Sequence, residues 1–191
     1  RGKVCLGVEQ RAVEIEAYRI KGKIAHAGLR GEPFFNLQAD GGTAPHMTDF
    51  AAIILAAGKG TRMKSDLHKV LHPIAGRAML HHLMASIDTL GPKRKVVVVG
   101  AGRDQLEAAL GDAAETRVQE PQLGTGHAVQ QAEEPLGDFT GDVLVLYGDV
   151  PFVRGETMRA MLDRLHAEDA PKVVVLGFEP EDALAYGRVI A

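Results

Sequence analysis

The chain has 191 residues, 46% of them hydrophobic and 25% charged, which is long enough for one sizeable core and short for two. With 22 Lys and Arg against 25 Asp and Glu, its net charge of −3 supplies no general field for a polyanion, so nucleic-acid binding is not expected. A lone cysteine, Cys5, cannot form an intramolecular disulfide and favours a reducing cytoplasm, and the sequence shows no run of about 20 apolar residues and no basic-then-apolar leader, so neither membrane insertion nor export is expected.

Residues 1–46 differ from the rest. They carry 7 basic and 5 acidic residues, whereas residues 47–191 carry 15 and 20. A turn-rich stretch, Gly41-Gly-Thr-Ala-Pro-His46, precedes Met47-Thr48-Asp49-Phe50, which reads as an ordinary protein start, and the boundary is placed there. The first 46 residues are read as an extension of unknown role. Gly22, Gly28, Gly31 and Pro33 interrupt them, and they show no sign of a strand or helix able to cover a sheet.

From Phe50 onward, short apolar runs alternate with amphipathic stretches, the pattern of parallel strands joined by helical crossovers. Ala51 to Leu55 predicts a buried first strand. Met79, Leu80, Leu83, Met84, Ile87 and Leu90 recur at helical spacing until Gly91-Pro92. Val96–Val99 predicts a strand, 104–110 a helix, 116–119 a strand and 126–133 a helix. The run 143–147 predicts another strand, 156–167 a helix with Met158, Met161, Leu162 and Leu165 on one face, and 173–176 a further strand.

The chemistry concentrates at strand ends. Leu55-Ala-Ala-Gly-Lys-Gly-Thr-Arg-Met63 follows the first strand, where ligands bind in open parallel sheets. Ala56, Ala57, Gly58 and Gly60 allow close backbone approach, and Lys59, Thr61 and Arg62 offer two cations and a hydroxyl to phosphate oxygens. It is not a Walker A loop, because Gly60 rather than Ser or Thr follows Lys59. Nor does it complete a dinucleotide fingerprint, because Met63 stands where glycine or alanine is needed. Asp149, after the strand 143–147 and Gly148, puts a carboxylate at the same edge, a hard oxygen donor suited to Mg²⁺. His81 and His82 are sequential on a helix and so point apart, and no metal role is read for them.

The segment Leu55 to Met63, continuing through Lys64-Ser-Asp-Leu-His-Lys-Val-Leu-His72, resembles the opening motif of the sugar-phosphate nucleotidyltransferases. Within them it looks most like the GlmU type, the bifunctional bacterial UDP-N-acetylglucosamine pyrophosphorylase and glucosamine-1-phosphate N-acetyltransferase. Gln119-Glu-Pro-Gln-Leu-Gly-Thr-Gly-His-Ala128, Leu146-Tyr-Gly-Asp-Val-Pro151 and Ala185-Tyr-Gly-Arg188 follow in the matching order. The resemblance implies an α/β, Rossmann-like, mostly parallel sheet with helices on both faces, of the nucleotide-diphospho-sugar transferase type and C-terminally truncated. Residues 47–191 would be the N-terminal part of the uridyltransferase domain.

The same resemblance implies UMP transfer from UTP to N-acetylglucosamine 1-phosphate with Mg²⁺, feeding peptidoglycan and lipopolysaccharide synthesis in the cytoplasm. Leu55, Ala56, Ala57 and Gly58 would line the nucleotide site, Arg62 would bind the departing pyrophosphate and Lys69 the phosphate under attack. Gln119 would hydrogen-bond uracil, and Gly124 and Thr125 would admit the base. Tyr147, Gly148 and Gly187 would contact the sugar nucleotide, with Asp149 on the metal. His68 departs from the family's frequent proline, which predicts a looser loop before Lys69. The family's second metal ligand, the rest of its sugar pocket and the C-terminal domain through which it oligomerises lie beyond these motifs. Two alternatives therefore stand beside the enzyme: a fragment or nucleotide-binding module without turnover, and a related transferase for another sugar or base. The isolated chain is expected to be inactive or barely active, and either marginally stable or prone to self-associate, because part of its sheet would lack cover.

Overall fold

A computed structural model of the chain describes residues 4–7, 48–58, 60 and 63–177. In chain order the strands are β1 (Val4–Gly7), β2 (Phe50–Ala56), β3 (Pro73–Ile74), β4 (Arg77–Ala78), β5 (Arg94–Val99), β6 (Glu115–Val118), β7 (Asp142–Tyr147) and β8 (Val173–Leu176). The helices are α1 (Met79–Asp88), α2 (Arg103–Leu110), α3 (Thr125–Gln130), α4 (Glu133–Leu136) and α5 (Gly155–Leu165). Six strands form one parallel sheet in the order β6-β5-β2-β7-β1-β8, and β3 and β4 form a small antiparallel hairpin on the first crossover.

Strand β2 shows why the sheet is buried on both sides. Successive side chains on a strand point to opposite faces, and here both sets are apolar. Phe50, Ala52, Ile54 and Ala56 face one cluster with Leu80, Leu83, Ile87, Leu106, Met158 and Leu165, which brings α1, α2 and α5 onto that side. Ile53 and Ala57 face the other with Ala128 and Ala132, around α3 and α4. Around β2, helices therefore cover both faces, as parallel sheets require. Each fully buried Leu, Ile or Phe contributes about 1.5–3 kcal/mol.

The helices follow their apolar stripes. On α1, Leu80, Leu83, Met84 and Ile87 are all buried, and Gly91 at φ +66° with Pro92 turns the chain into β5. The helix expected over 126–133 is two pieces, α3 and α4. Pro135 explains the break: in a continuous helix it could not donate to the carbonyl of Gln131 and its ring would clash there.

The expectation that residues 1–46 hold no usable strand is overturned by β1. Its backbone runs parallel to β7, with Val4 opposite Val143 and Leu6 opposite Val145, and parallel to β8, with Val4 opposite Val173 and Gly7 opposite Leu176. The crossover from β7 through α5 to β8 skips one position in the sheet, and β1 fills it. Four residues bounded by glycine are too short for periodicity to distinguish, and the two flanking strands supply what makes them a strand. The strand expected around Arg188 to Ile190 lies outside the described residues.

Candidate nucleotide site at the carboxyl edge of the sheet

Strands β2 and β7 are neighbours, and their register puts Leu55 opposite Tyr147. Their onward connections run in opposite directions across the sheet, toward β5 and toward β8, so the edge between them is a switch point of the kind where open α/β sheets bind ligands. The Gly148 N–H donates to Leu55 O at 2.9 Å. A Cβ on residue 148 would stand 3.2 Å from that oxygen and 3.3 Å from Val70 Cγ1, an approach that favours glycine.

Asp149 emerges next to this contact with its side chain 14% exposed, and Lys69 forms an ion pair with its Oδ2. Lys69 opens a 3-10 turn, Lys69–Leu71, whose buried Val70 seats it beside Gly148. The glycine-rich loop reaches the same point. Gly60 has φ +61°, and a Cβ there would come within 2.6 Å of Lys69 Cβ. Lys69 thus stands between the loop and the carboxylate.

The second wall is built at the ends of β5 and β6. Gln119 is buried; its backbone N–H donates to Val99 O at 2.8 Å, and its side-chain Nε2 donates to Gly124 O at 2.8 Å and lies 3.3 Å from His127 Nδ1. Because a carbonyl only accepts, the contact with Gly124 assigns the orientation of the amide and leaves Oε1 as the acceptor. Gly124 is at φ +109°, a conformation that a side chain would strain. Gln122 Nε2 donates to Ala57 O, and a Cβ on Gly100 would stand 2.5 Å from both atoms of that bond. This contact ties the loop after β2 to the loop after β6. Between the ends of β5 and β6 lies a cleft of about 600 Å³ lined by Gly100, Gly102, Gln119, Glu120 and Gln122.

Residues 52–188 match the family of MobA-like NTP transferase domains. The chain belongs to that family. It is 76% identical over 140 residues to the bifunctional protein GlmU of Sphingopyxis alaskensis, covering 73% of this chain and 31% of that protein. It is 69% identical over 148 residues to the bifunctional protein GlmU of Rhizorhabdus wittichii, covering 76% and 33%. The chain thus spans about a third of the length of these curated relatives. Its fold is also that of Rv0371c from Mycobacterium tuberculosis, crystallised in complex with manganese, at a TM-score of 0.51 and 21% identity over 61% of this chain and 59% of that one.

In this NTP transferase domain the structure brings Leu55, Ala56, Ala57, Gly58, Lys69, Tyr147, Gly148 and Asp149 to one edge, and Gln119, Gly124 and Thr125 to the adjoining loop. Arg62 and Gly187, with Lys59, Thr61, Tyr186 and Arg188, lie outside the described residues. Sequence reasoning missed Gln122, although it stands inside a quoted motif, and Gln105, which no motif marks. Gln105 accepts the His68 N–H at Oε1 and donates from Nε2 to Asp66 O, both at 2.8 Å. The N–H that proline would lack is therefore engaged, and the expected loosening at His68 meets a backbone held from α2. His68 is 5% exposed with neither ring nitrogen hydrogen-bonded, and burial pushes its pKa below the usual value.

Three further histidines are tied away from this edge. His81 and His82 donate from Nε2 to the carbonyls of Ala109 and Ile74, at 3.0 and 2.8 Å. At the opposite, amino edge of the sheet, His166 Nε2 meets both Asp142 Oδ2 at 2.5 Å and Thr48 Oγ1 at 3.0 Å. A proton relay needs the two ring nitrogens to face different partners, so this cluster is a structural tie between β7 and α5. Among the described residues no group of three or more His, Cys, Asp or Glu could hold a metal ion.

Proposed function

We propose that the chain forms the nucleotide-binding part of a uridyltransferase site, moving UMP from UTP to N-acetylglucosamine 1-phosphate and releasing pyrophosphate. The observation that carries the reading is the Lys69–Asp149 ion pair, set at the β2/β7 edge against Gly60 and Gly148. The identity to GlmU proteins across 140 residues supports the choice of reaction. Residues 47–191 are read as the N-terminal part of the uridyltransferase domain, in the cytoplasm, serving cell-wall and lipopolysaccharide precursors. No described helix is long and apolar enough to cross a membrane.

In this reading a sugar-phosphate oxygen attacks the α-phosphorus in line, the new P–O bond forms, and the bond to the pyrophosphate oxygen breaks. No covalent enzyme intermediate is required. Lys69, released from Asp149 when a phosphate enters, stabilises the charge on the attacked group, and Arg62 does so on the leaving pyrophosphate. The backbone of Leu55 to Gly58 lines the triphosphate, and Gly187 contacts the sugar. The Gln119 Oε1 accepts from the pyrimidine N3–H while its Nε2 stays on Gly124 O, and Thr125 and Tyr147 flank the base and sugar.

Asp149 fits Mg²⁺. Its carboxylate already holds a cation, the Lys69 ammonium, and Mg²⁺ usually takes one or two protein carboxylates with the remaining positions filled by water and phosphate oxygens. When bound, Mg²⁺ would neutralise phosphate charge beside Asp149.

The test is pyrophosphate release from UTP, N-acetylglucosamine 1-phosphate and Mg²⁺, with UTP binding measured on the same protein. Lys69→Ala is expected to cost about 3 kcal/mol of barrier, roughly 10²-fold. Asp149→Asn is expected to weaken the Mg²⁺ dependence more than metal-free UTP binding. Parental rates in both variants would remove the site from this edge. UTP binding with no pyrophosphate release would favour the alternative of a binding module without turnover.

A further inference from the structure

Lys69 meets Asp149 at the end of a segment, residues 64–68, that has neither helix nor strand pairing to hold it. The residue before Lys69, His68, has φ −57° and ψ 139°. That φ falls in the range a pyrrolidine ring imposes, about −65 ± 15°, so the backbone has the shape of a proline without its covalent lock. One side chain supplies a substitute. Gln105 takes the carbonyl of Asp66 and the N–H of His68 with the two ends of a single carboxamide, the pair of groups an adjacent strand would otherwise engage. Its own position is set by α2, where its N–H donates to Gly102 O at 3.2 Å and the next residue, Leu106, is fully buried. On the far side the His68 ring packs against Gly102, where an added Cβ would stand 3.3 Å from ring Cδ2.

We infer that Gln105 is a positioning residue: by clamping residues 66 and 68 to α2, it does for His68 what a ring would do and sets where Lys69 is presented to Asp149. Gln105 is exposed, so water competes for its bonds and its loss costs global stability little. The consequence falls on the geometry of Lys69. Only the catalytic part of this inference rests on the proposed uridyltransferase reading; the clamp itself does not.

The test is a cycle of Gln105→Ala, His68→Pro and the double variant in the full chain, since proline needs no acceptor for an N–H it lacks. Lys69 acylation by an amine-reactive acetate ester is measured by peptide mass spectrometry relative to Lys95, which is paired with Asp88. Hydrogen exchange over residues 66–71 and pyrophosphate release are followed in parallel. Gln105→Ala is expected to raise relative Lys69 acylation roughly 3- to 10-fold and to lower kcat several-fold with little change in the KM for UTP. In the His68→Pro background the same substitution is expected to change acylation by less than about 2-fold, a coupling that a general loss of packing does not produce. An equal rise in both backgrounds, or no rise with His68 present, overturns the inference. If acylation follows the cycle while pyrophosphate release does not, the clamp stands and the uridyltransferase reading fails. Should His68→Pro not unfold cooperatively, Gln105→Glu, which keeps the acceptor and loses the donor, has to give an intermediate rise; a rise equal to that of Gln105→Ala overturns the clamp.

Discussion

Replacing Gly60 by alanine tests whether the glycine-rich loop and Lys69 form one unit. Two costs arise together. At φ +61° an L side chain is in the left-handed region, worth about 1–2 kcal/mol. The new Cβ also lands 2.6 Å from Lys69 Cβ, an atom fixed to the backbone rather than the far end of a flexible chain. Restoring ordinary contact moves the two segments apart by roughly 1 Å, since packed atoms do not interpenetrate. The stability cost corresponds to a fall in Tm of roughly 3–8 °C for a domain of this size. A shift of that length at a phosphate-binding cation is worth on the order of 10²-fold in transfer rate. Gly58→Ala is the control, because nothing stands within 4 Å of its added Cβ. It is expected to keep the parental Tm and to weaken UTP binding, the methyl entering space reserved for ligand. Thermal unfolding and UTP titration on both variants decide the matter. A Gly60→Ala protein with parental Tm and parental transfer would refute the reasoning, and a Gly58→Ala protein that binds UTP normally would remove its backbone from the nucleotide site.

Two further outcomes are expected. Burial holds the His68 pKa below 6.5, so the folded chain keeps this ring neutral where the unfolded chain takes up a proton; stability should fall as pH drops below about 6.5 and level off beneath the folded pKa. His68→Leu should flatten this slope in urea midpoints measured from pH 7.5 to 5, and an unchanged slope would show that other groups set it. Deleting residues 1–46 removes β1 and leaves facing gaps on β7 and β8. Lower Tm and concentration-dependent self-association are expected, since unpaired strand edges recruit other chains, and a truncated monomer with unchanged unfolding would show that β1 adds nothing.

The alternation of apolar runs and amphipathic stretches determined the parallel sheet by itself. Val173–Leu176 forms its strand over the expected residues, and β5, β7, α1, α2 and α5 agree with the reading to within one or two residues. Burial on both faces leaves a continuous apolar run and helical crossovers leave a stripe, and both are local records of a global fold. The motifs after β2, β6 and β7 likewise come to lie along one edge of the sheet. What the tertiary structure decided is whatever depends on a partner distant in the chain. Val4–Gly7 is a strand because β7 and β8 stand open on either side, not because of its own four residues. Gly60 is required by Lys69, nine positions on, and the orientation of the Gln119 amide by a carbonyl across a turn. Gln105 looks like any polar residue on an exposed helix face, and it is set apart only when folding brings the backbone of Asp66 and His68 to it. Propensity and periodicity encode which face of an element is buried, whereas a single hydrogen bond between segments leaves no periodic trace in either of them.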